Sequence, residues 1–361
     1  MFDPQWLLSH KSHLLQNRPP LPERGPVRWE HQPVPSSLIE RPVDGPSATP
    51  PAVTTTRRAD RNFAGLARGS GIAVLIIMAA IGAFLLWKAL PALQANTAPF
   101  LTTSQWFPDD PAPRFGIAAL AFGTLLSSLI ALAVAVPIGV GVALYTAHYA
   151  SRRIAPVLGY IVDLLAAVPS IIFGLWGLQV LMPNSKGLWR WLDQHLGFVP
   201  LLRNDLDSYT RSVALAGTVL AIMVLPTVSA ISREVFMQVP KGHLEAALAL
   251  GATRWEAMRT AVFPFSRPGV VSAAMLGLGR ALGETIAVAL ILSATFAINW
   301  QLTEPGGNTF AANIALKWNE AGSVGLGALI ASGLVLYIIT FAVNMAARVV
   351  VERRREFSGA N

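Results

Sequence analysis

Gly279-Arg280-Ala281-Leu282-Gly283-Glu284-Thr285 interrupts a segment that is otherwise apolar from Val270 to Ile298. A helix of roughly 20 residues crosses the hydrocarbon core of a bilayer, so the segment is long enough to span and carries an arginine and a glutamate to membrane depth. A charge at the centre of a membrane helix costs roughly 2.5 to 3.5 kcal/mol on insertion scales. An ionised pair there signals either a lock between helices or a pathway for something polar. The sequence reads as the second.

Of the 361 residues, 53% are hydrophobic and 13% charged, with a mean hydropathy of +0.49; a soluble domain carries about 25% charged residues. The chain is expected to be an all-α integral membrane protein. Its net charge of +8 gathers at the ends of apolar runs and on flanking segments rather than along one helical face, which reads as a topology signal and not as a nucleic-acid footprint. There is no cysteine, which excludes disulfides, cysteine-bound zinc, iron-sulfur clusters and thiol catalysis. The histidines (His10, His13, His31, His148, His195, His243) include no pair at metal-ligand spacing on one apolar helix, so no metal site is expected and all six are read as solvated. The first long apolar run begins near Gly69 with no A-x-A pattern after it, so the first span is expected to be an uncleaved anchor.

Working outward, runs at Gly71 to Leu90, Ile117 to Tyr145, Val157 to Leu181, Val213 to Ile231, Val270 to Ile298 and Val324 to Ala347 predict six transmembrane helices. Helices are the form such runs take, because lipid satisfies no backbone group. Pro137, Pro169 and Pro226 inside them read as kinks packed against neighbours. Residues 1–68 hold eleven prolines and nine basic residues without a sustained period and are expected to form a disordered cytoplasmic tail. Residues 69–350 are expected to form the six-helix transmembrane domain, and 351–361 a basic cytoplasmic C-terminus. If the N-terminus is inside, the inner connections carry Arg152, Arg153, Arg233, Lys241, Arg254, Arg259, Arg267, Arg348, Arg353, Arg354 and Arg355, against Arg114, Lys186, Arg190, Arg203, Arg211 and Lys317 outside. Eleven against six places both termini in the cytoplasm.

The inner connection from Arg233 to Pro268 is more than a turn. Leu244, Leu248, Gly251, Trp255, Met258 and Val262 recur at alternating steps of four and three, the stripe of an amphipathic helix that something apolar must cover. Within it, Glu245-Ala246-Ala247, Gly251 and Pro264 resemble the EAA signature of permease subunits of binding-protein-dependent ABC importers, the MetI-like or type I family. Ala261 and Phe263 depart from the residues usual there, isoleucine and leucine. In that family the helix sits in a cleft of a cytoplasmic ATPase, which would cover the stripe; Trp255 belongs to the same coupling region.

Further stretches resemble the PstC-type permease of the phosphate-specific importer rather than the PstA-type. They are Gly279 to Val288, where the PstA-type continues Gly-Glu-Thr with Ala-Pro, and Ala166-Ala167-Val168-Pro169-Ser170-Ile171-Ile172-Phe173-Gly174-Leu175-Trp176-Gly177 in the third span. The likeness runs from about Gly69 to Val350. It implies a second, PstA-type permease, two copies of an ATPase subunit that bind ATP and magnesium, and an extracytoplasmic phosphate-binding protein docking on the outer loops, all in the inner membrane of a prokaryote. No cofactor is expected in this chain. None of its lysines (Lys11, Lys88, Lys186, Lys241, Lys317) follows a glycine, so it lacks the Walker A arrangement.

The residues point toward an anion independently. Arg280 lies about eleven residues past the expected inner start of its helix, roughly 16 Å deep at 1.5 Å per residue. Glu284, four residues on, is expected on the same face, keeping the guanidinium charged. A guanidinium fork suits a tetrahedral oxyanion. Gly279 and Gly283 read as a small-xxx-small pair admitting a neighbouring helix. Arg280, Glu284 and Thr285 are therefore the expected pathway residues; the same Arg and Glu could equally lock helices without touching substrate. Asp163 reads as a cap or an arginine's partner. Ser170, Thr285 and Ser293 are candidate pore hydroxyls, although back-bonding within a helix accounts for such residues as well. Permeases for sulfate or molybdate share the loop helix and are separated by the Gly279 to Thr285 stretch. A secondary transporter or channel would not need the Glu245 to Pro264 signature, and an intramembrane enzyme would rest on Asp163 alone.

Overall fold

The computed structural model describes residues 58–355. The expected disordered tail lies outside the described residues up to 57, but residues 58–68 are already helical, in α1 (Arg58–Ala95). Likewise the basic C-terminus begins inside α12 (Ser323–Arg355), and 356–361 lie outside the described residues.

Among the described residues five helices are long and apolar enough to cross a membrane, six if a bent pair counts as one span. Besides α1 and α12 these are α2 (Ala118–Leu144), prolonged by a π-helical turn at Tyr145–Tyr149, and α6 (Val213–Met237). The fifth is the continuous Arg254–Leu282, made of α8 (Arg254–Ala257), a π-helical turn (Met258–Val262) and α9 (Phe263–Leu282). The bent pair consists of α3 (Ile154–Ala166) and a second leg of α4 (Ser170–Trp176), a π-helical turn (Gly177–Leu181) and α5 (Met182–Leu196). The legs meet at 89°. Where the sequence suggested a kink at Pro169, the span breaks. Pro169 biases the preceding residue away from helical geometry and itself takes an extended ψ of 139°, from which α4 starts afresh.

The charged span also differs from expectation. It begins at Arg254, not Val270, and stops at Leu282 rather than running on to Ile298. Gly283 terminates it, as glycine commonly ends a helix. The apolar residues beyond fold instead into the short α10 (Ile286–Ile291) and an irregular stretch at 292–309 leading to α11 (Phe310–Lys317).

Helix α6 is the hub. Leu215, Val219, Leu220, Met223, Val224 and Val228 are buried against α2, α9 and α10. Helix association in lipid depends on close packing, since the tails are as apolar as leucine. The close approach occurs at Gly277, where a β-carbon would come within 2.7 Å of Val224 and 3.0 Å of Val228. Gly279 and Gly283, expected to admit a neighbouring helix, meet no other helix among the described residues.

At one end of the bundle the connections form a knitted layer. A two-stranded hairpin, β1 (Trp106–Phe107) with β2 (Arg114–Phe115), stacks Trp106 on Phe296, centroids 5.8 Å apart. The Asp109 carboxylate accepts from the backbone amides of Gly322 (2.9 Å) and Gly325 (2.8 Å) at the start of α12. Leu302 bonds through its backbone to both Leu201 and Ala214, each at 2.9 Å. Buried Glu304 accepts from the Asp205 amide (2.9 Å) and from Asn299 Nδ2 (2.6 Å), tying 197–212 to 292–309. The loops at 150–153 and 238–253 lie at the opposite ends of the same helices.

Candidate translocation site

Arg280 occupies the last turn of α9 and is half-buried. Its Nη1 donates to the Thr227 hydroxyl at 3.2 Å. Thr227 lies fourteen residues after the start of α6 and ten before its end, so the cation faces the middle of the hub helix. The expected pairing with Glu284 is not formed: Arg280 and Glu284 make no ion pair among the described residues. The i to i+4 argument required an unbroken helix, and the chain leaves helical geometry at Gly283. Glu284 instead accepts from the Ala287 amide at 3.2 Å, capping α10, and the Thr285 hydroxyl turns back to the Gly283 carbonyl at 3.1 Å. The free carbonyls of a helix end carry partial negative charge and are worth about 0.3–1 kcal/mol to a nearby cation, and Arg280 lies in the last turn of α9.

The two sequence stretches that carry the family likeness meet in space. Gly174 of α4 lies against Ala287 of α10, so closely that a β-carbon there would sit 2.8 Å from the Ala287 Cα. Gly177 is as tight against Val219, at 2.7 Å, and Ile291, at 3.2 Å. Each stretch is a broken helix inside an apolar run, one break lying at Pro169 and the other after Leu282. Backbone that leaves the helix there is tolerated where protein buries it or a cavity wets it. Of the candidate hydroxyls, Ser293 has a buried Oγ without a partner among the described residues, just after α10 and next to Ala294 in the left-handed region at φ 53°.

The loop helix is shorter than the sequence stripe suggests. It is α7 (Lys241–Ala249), and Gly251 breaks the stripe with φ 85°, a conformation that favours glycine. Trp255 and Pro264 therefore belong to the rod of the fifth span. Thr253 starts that rod with a capping box: its Oγ accepts from the Glu256 amide at 3.3 Å, and Glu256 accepts from the Thr253 amide at 2.8 Å. On α7, Glu245 and Ala246 are exposed and Ala247 is half-buried. Leu244 packs onto a core of Phe236, Val239, Met258 and Val262. Leu248, Leu250 and Trp255 remain exposed, Leu250 to 89%, leaving an uncovered apolar edge.

Two residues outside the expected sites join this end of the bundle. Asp163 of α3 faces Arg233 of α6 at 3.9 Å, with Arg233 Nη2 also 3.8 Å from Glu234. His148, read as solvated, is half-buried, its Nε2 without a partner among the described residues and its ring edge-on to Phe236. Asp163 was expected to be a cap or an arginine's partner, and Arg233 is that arginine, although nothing in the sequence singled it out.

The phosphate transport system permease protein PstC 2 of Mycobacterium tuberculosis is 45% identical to this chain over 318 residues, covering 87% of this chain and 98% of that protein. A phosphate transport system permease protein PstC of Xylella fastidiosa is 38% identical over 299 residues, covering 82% and 91%. Among solved structures, an inward-facing MetNI methionine ABC transporter aligns with a TM-score of 0.44 at 16% identity, covering 65% of this chain and 92% of that one. The family model for the binding-protein-dependent transport system inner membrane component matches residues 135–356. That range takes in both broken spans and the Glu245 loop, and the chain belongs to this family of inner membrane transport components.

Proposed function

We propose that the chain is the PstC-type permease subunit of an ATP-driven importer for inorganic phosphate, supplying half of the translocation pathway. The 45% identity to a phosphate permease over nearly the whole of both chains carries the reading. Arg280, the cation facing mid-α6, supplies the chemistry: a guanidinium fork that can hold an oxyanion at depth. Open space beside Gly279 leaves room for a PstA-type permease to complete the pathway. The uncovered edge of Leu248, Leu250 and Trp255 fits the cleft of an ATPase subunit, two copies of which bind and hydrolyse ATP with magnesium. The permease is therefore not itself the enzyme. The knitted layer around Trp106, Asp109 and Glu304 faces outward, where an extracytoplasmic phosphate-binding protein docks, and both termini lie in the cytoplasm.

Nucleotide-driven closure of the ATPase pair moves α7, and the spans alternate the side to which Arg280 is open. The test is the complex of both permeases and the ATPase pair in liposomes, with the binding protein outside. ATP-dependent uptake of labelled phosphate that excess sulfate and molybdate fail to inhibit is expected. Uptake of sulfate or molybdate in preference to phosphate would overturn the substrate, and uptake without the ATPase subunits would overturn the class.

A further inference from the structure

We propose that Arg233 is a positioning residue that passes motion of α7 into α3, the first leg of the broken span. The inference rests on the importer reading above. Arg233 is four residues from the end of α6, and α7 starts at Lys241. On that side, Phe236 and Val239 share a core with Leu244 of α7 and with Met258 and Val262 of the fifth span, so displacement of α7 loads the end of α6. On the other side the Arg233 side chain lies flat on α3. Its Nη1 occupies the space where a β-carbon of residue 159 would stand, which only Gly159 leaves open. Asp163, one helical turn further, faces Nη2 at 3.9 Å.

The contact is built to be held without being fixed. Both carboxylates near Arg233, Asp163 at 3.9 Å and Glu234 at 3.8 Å, stand beyond hydrogen-bond distance, and Nε is buried without a partner among the described residues. Asp163 is more than half exposed, so the attraction is screened and weak. A guanidinium that fits a glycine notch but makes no hydrogen bond among the described residues can slide or tilt at small cost. Beyond the notch, α3 runs to Pro169, after which α4 rests through Gly174 on Ala287, three residues from Glu284. Movement of α3 thus reaches the break beside Arg280 without passing along α9. Coupling of this kind is carried by contiguous packed elements with two arrangements.

The measured quantity is phosphate imported per ATP hydrolysed by the complete complex in liposomes with its binding protein. Arg233→Gln should lower that ratio by about threefold to tenfold and Asp163→Asn by about twofold, with ATP hydrolysis continuing. The double variant should be no worse than the poorer single one, because both break the same contact. Arg233→Lys should recover part of the ratio. An unchanged ratio in either single variant, or losses that multiply in the double, would overturn the proposal. If Arg233→Gln fails to assemble, Gly159→Ala keeps the charge while pushing the guanidinium from its notch, and a normal ratio there would overturn it too. Absence of ATP-driven phosphate uptake by the unaltered complex would instead sink the importer reading, so the two failures are told apart.

Discussion

Arg280 bonds to Thr227 at 3.2 Å, across from α9 to the middle of α6, while Glu284 on the far side of the Gly283 break caps a different helix. The cation is therefore positioned by a neutral hydroxyl and left with donors to spare. Arg280→Ala should abolish phosphate uptake in an assembled complex. Thr227→Val, which removes one hydrogen bond to a charged group, should reduce uptake about tenfold, in keeping with roughly 1.5–3 kcal/mol for such a bond. Uptake assays after size-exclusion confirmation of assembly check both, and normal transport by Arg280→Ala would remove the pathway role.

The cap at α10 separates charge from geometry at Glu284. Glu284→Gln keeps an oxygen for the Ala287 amide and should leave thermal stability of the complex nearly unchanged, whereas Glu284→Ala should cost about 1 kcal/mol, the usual loss on removing a cap. Thermal melts of the two purified variants decide it; equal melting points would contradict the capping role.

Gly251 sits at φ 85° between α7 and the rod of the fifth span. An L side chain there is strained whatever space surrounds it. Gly251→Asp should leave the bundle folded but swing α7, so that ATP hydrolysis no longer drives transport. Liposomes showing ATPase activity and normal uptake in this variant would count against it.

Gly174 meets Ala287 backbone rather than a flexible side-chain tip. Gly174→Val should push α4 and α10 apart at a cost of about 1–3 kcal/mol, the range for overpacking, and should eliminate uptake. Retained uptake with an unaltered melting point would show that the two broken helices tolerate separation.

In the layer at the other end, Tyr209 donates to Asp193 Oδ2 at 3.0 Å. Burial first, and then this hydrogen bond, raise the phenol above its usual pKa. Because the folded value is the higher one, its contribution is complete below the unfolded pKa of about 10 and is lost as pH climbs through the folded value. Tyr209→Phe should therefore destabilise the layer at neutral pH and flatten its alkaline loss of stability. Tyrosinate absorbance during a pH titration provides the check.

Much of the bundle was legible because length and apolarity alone mark a helix that must satisfy its own backbone in lipid. The breaks were not. The hydropathy of Ile286 to Ile291 continues that of Val270 to Leu282, so an apolar run conceals the turn between them. Gly283, a common helix terminator, followed by a β-branched Thr285, was the available sign. At Gly251 the steps of three and four happen to continue across the break, and one stripe was read where there are two helices. Pairings such as Leu302 with Leu201, or Arg233 over Gly159, join residues far apart in the chain and leave no periodic trace. The loop glutamate, glycine and proline were recognised by their resemblance to a family signature, but which of them lie on α7 became visible only in three dimensions.

The fifth span joins the importer's two ends mechanically. Residues 254–282 form one continuous helix, so Trp255 and Arg280 ride on the same lever, about 37 Å apart at 1.5 Å per residue. Pivoting that lever by about 5° near its foot would swing the guanidinium through roughly 3 Å, about the span of one hydrogen bond. A nudge too slight to repack any interface could thus exchange Thr227 for a passing anion.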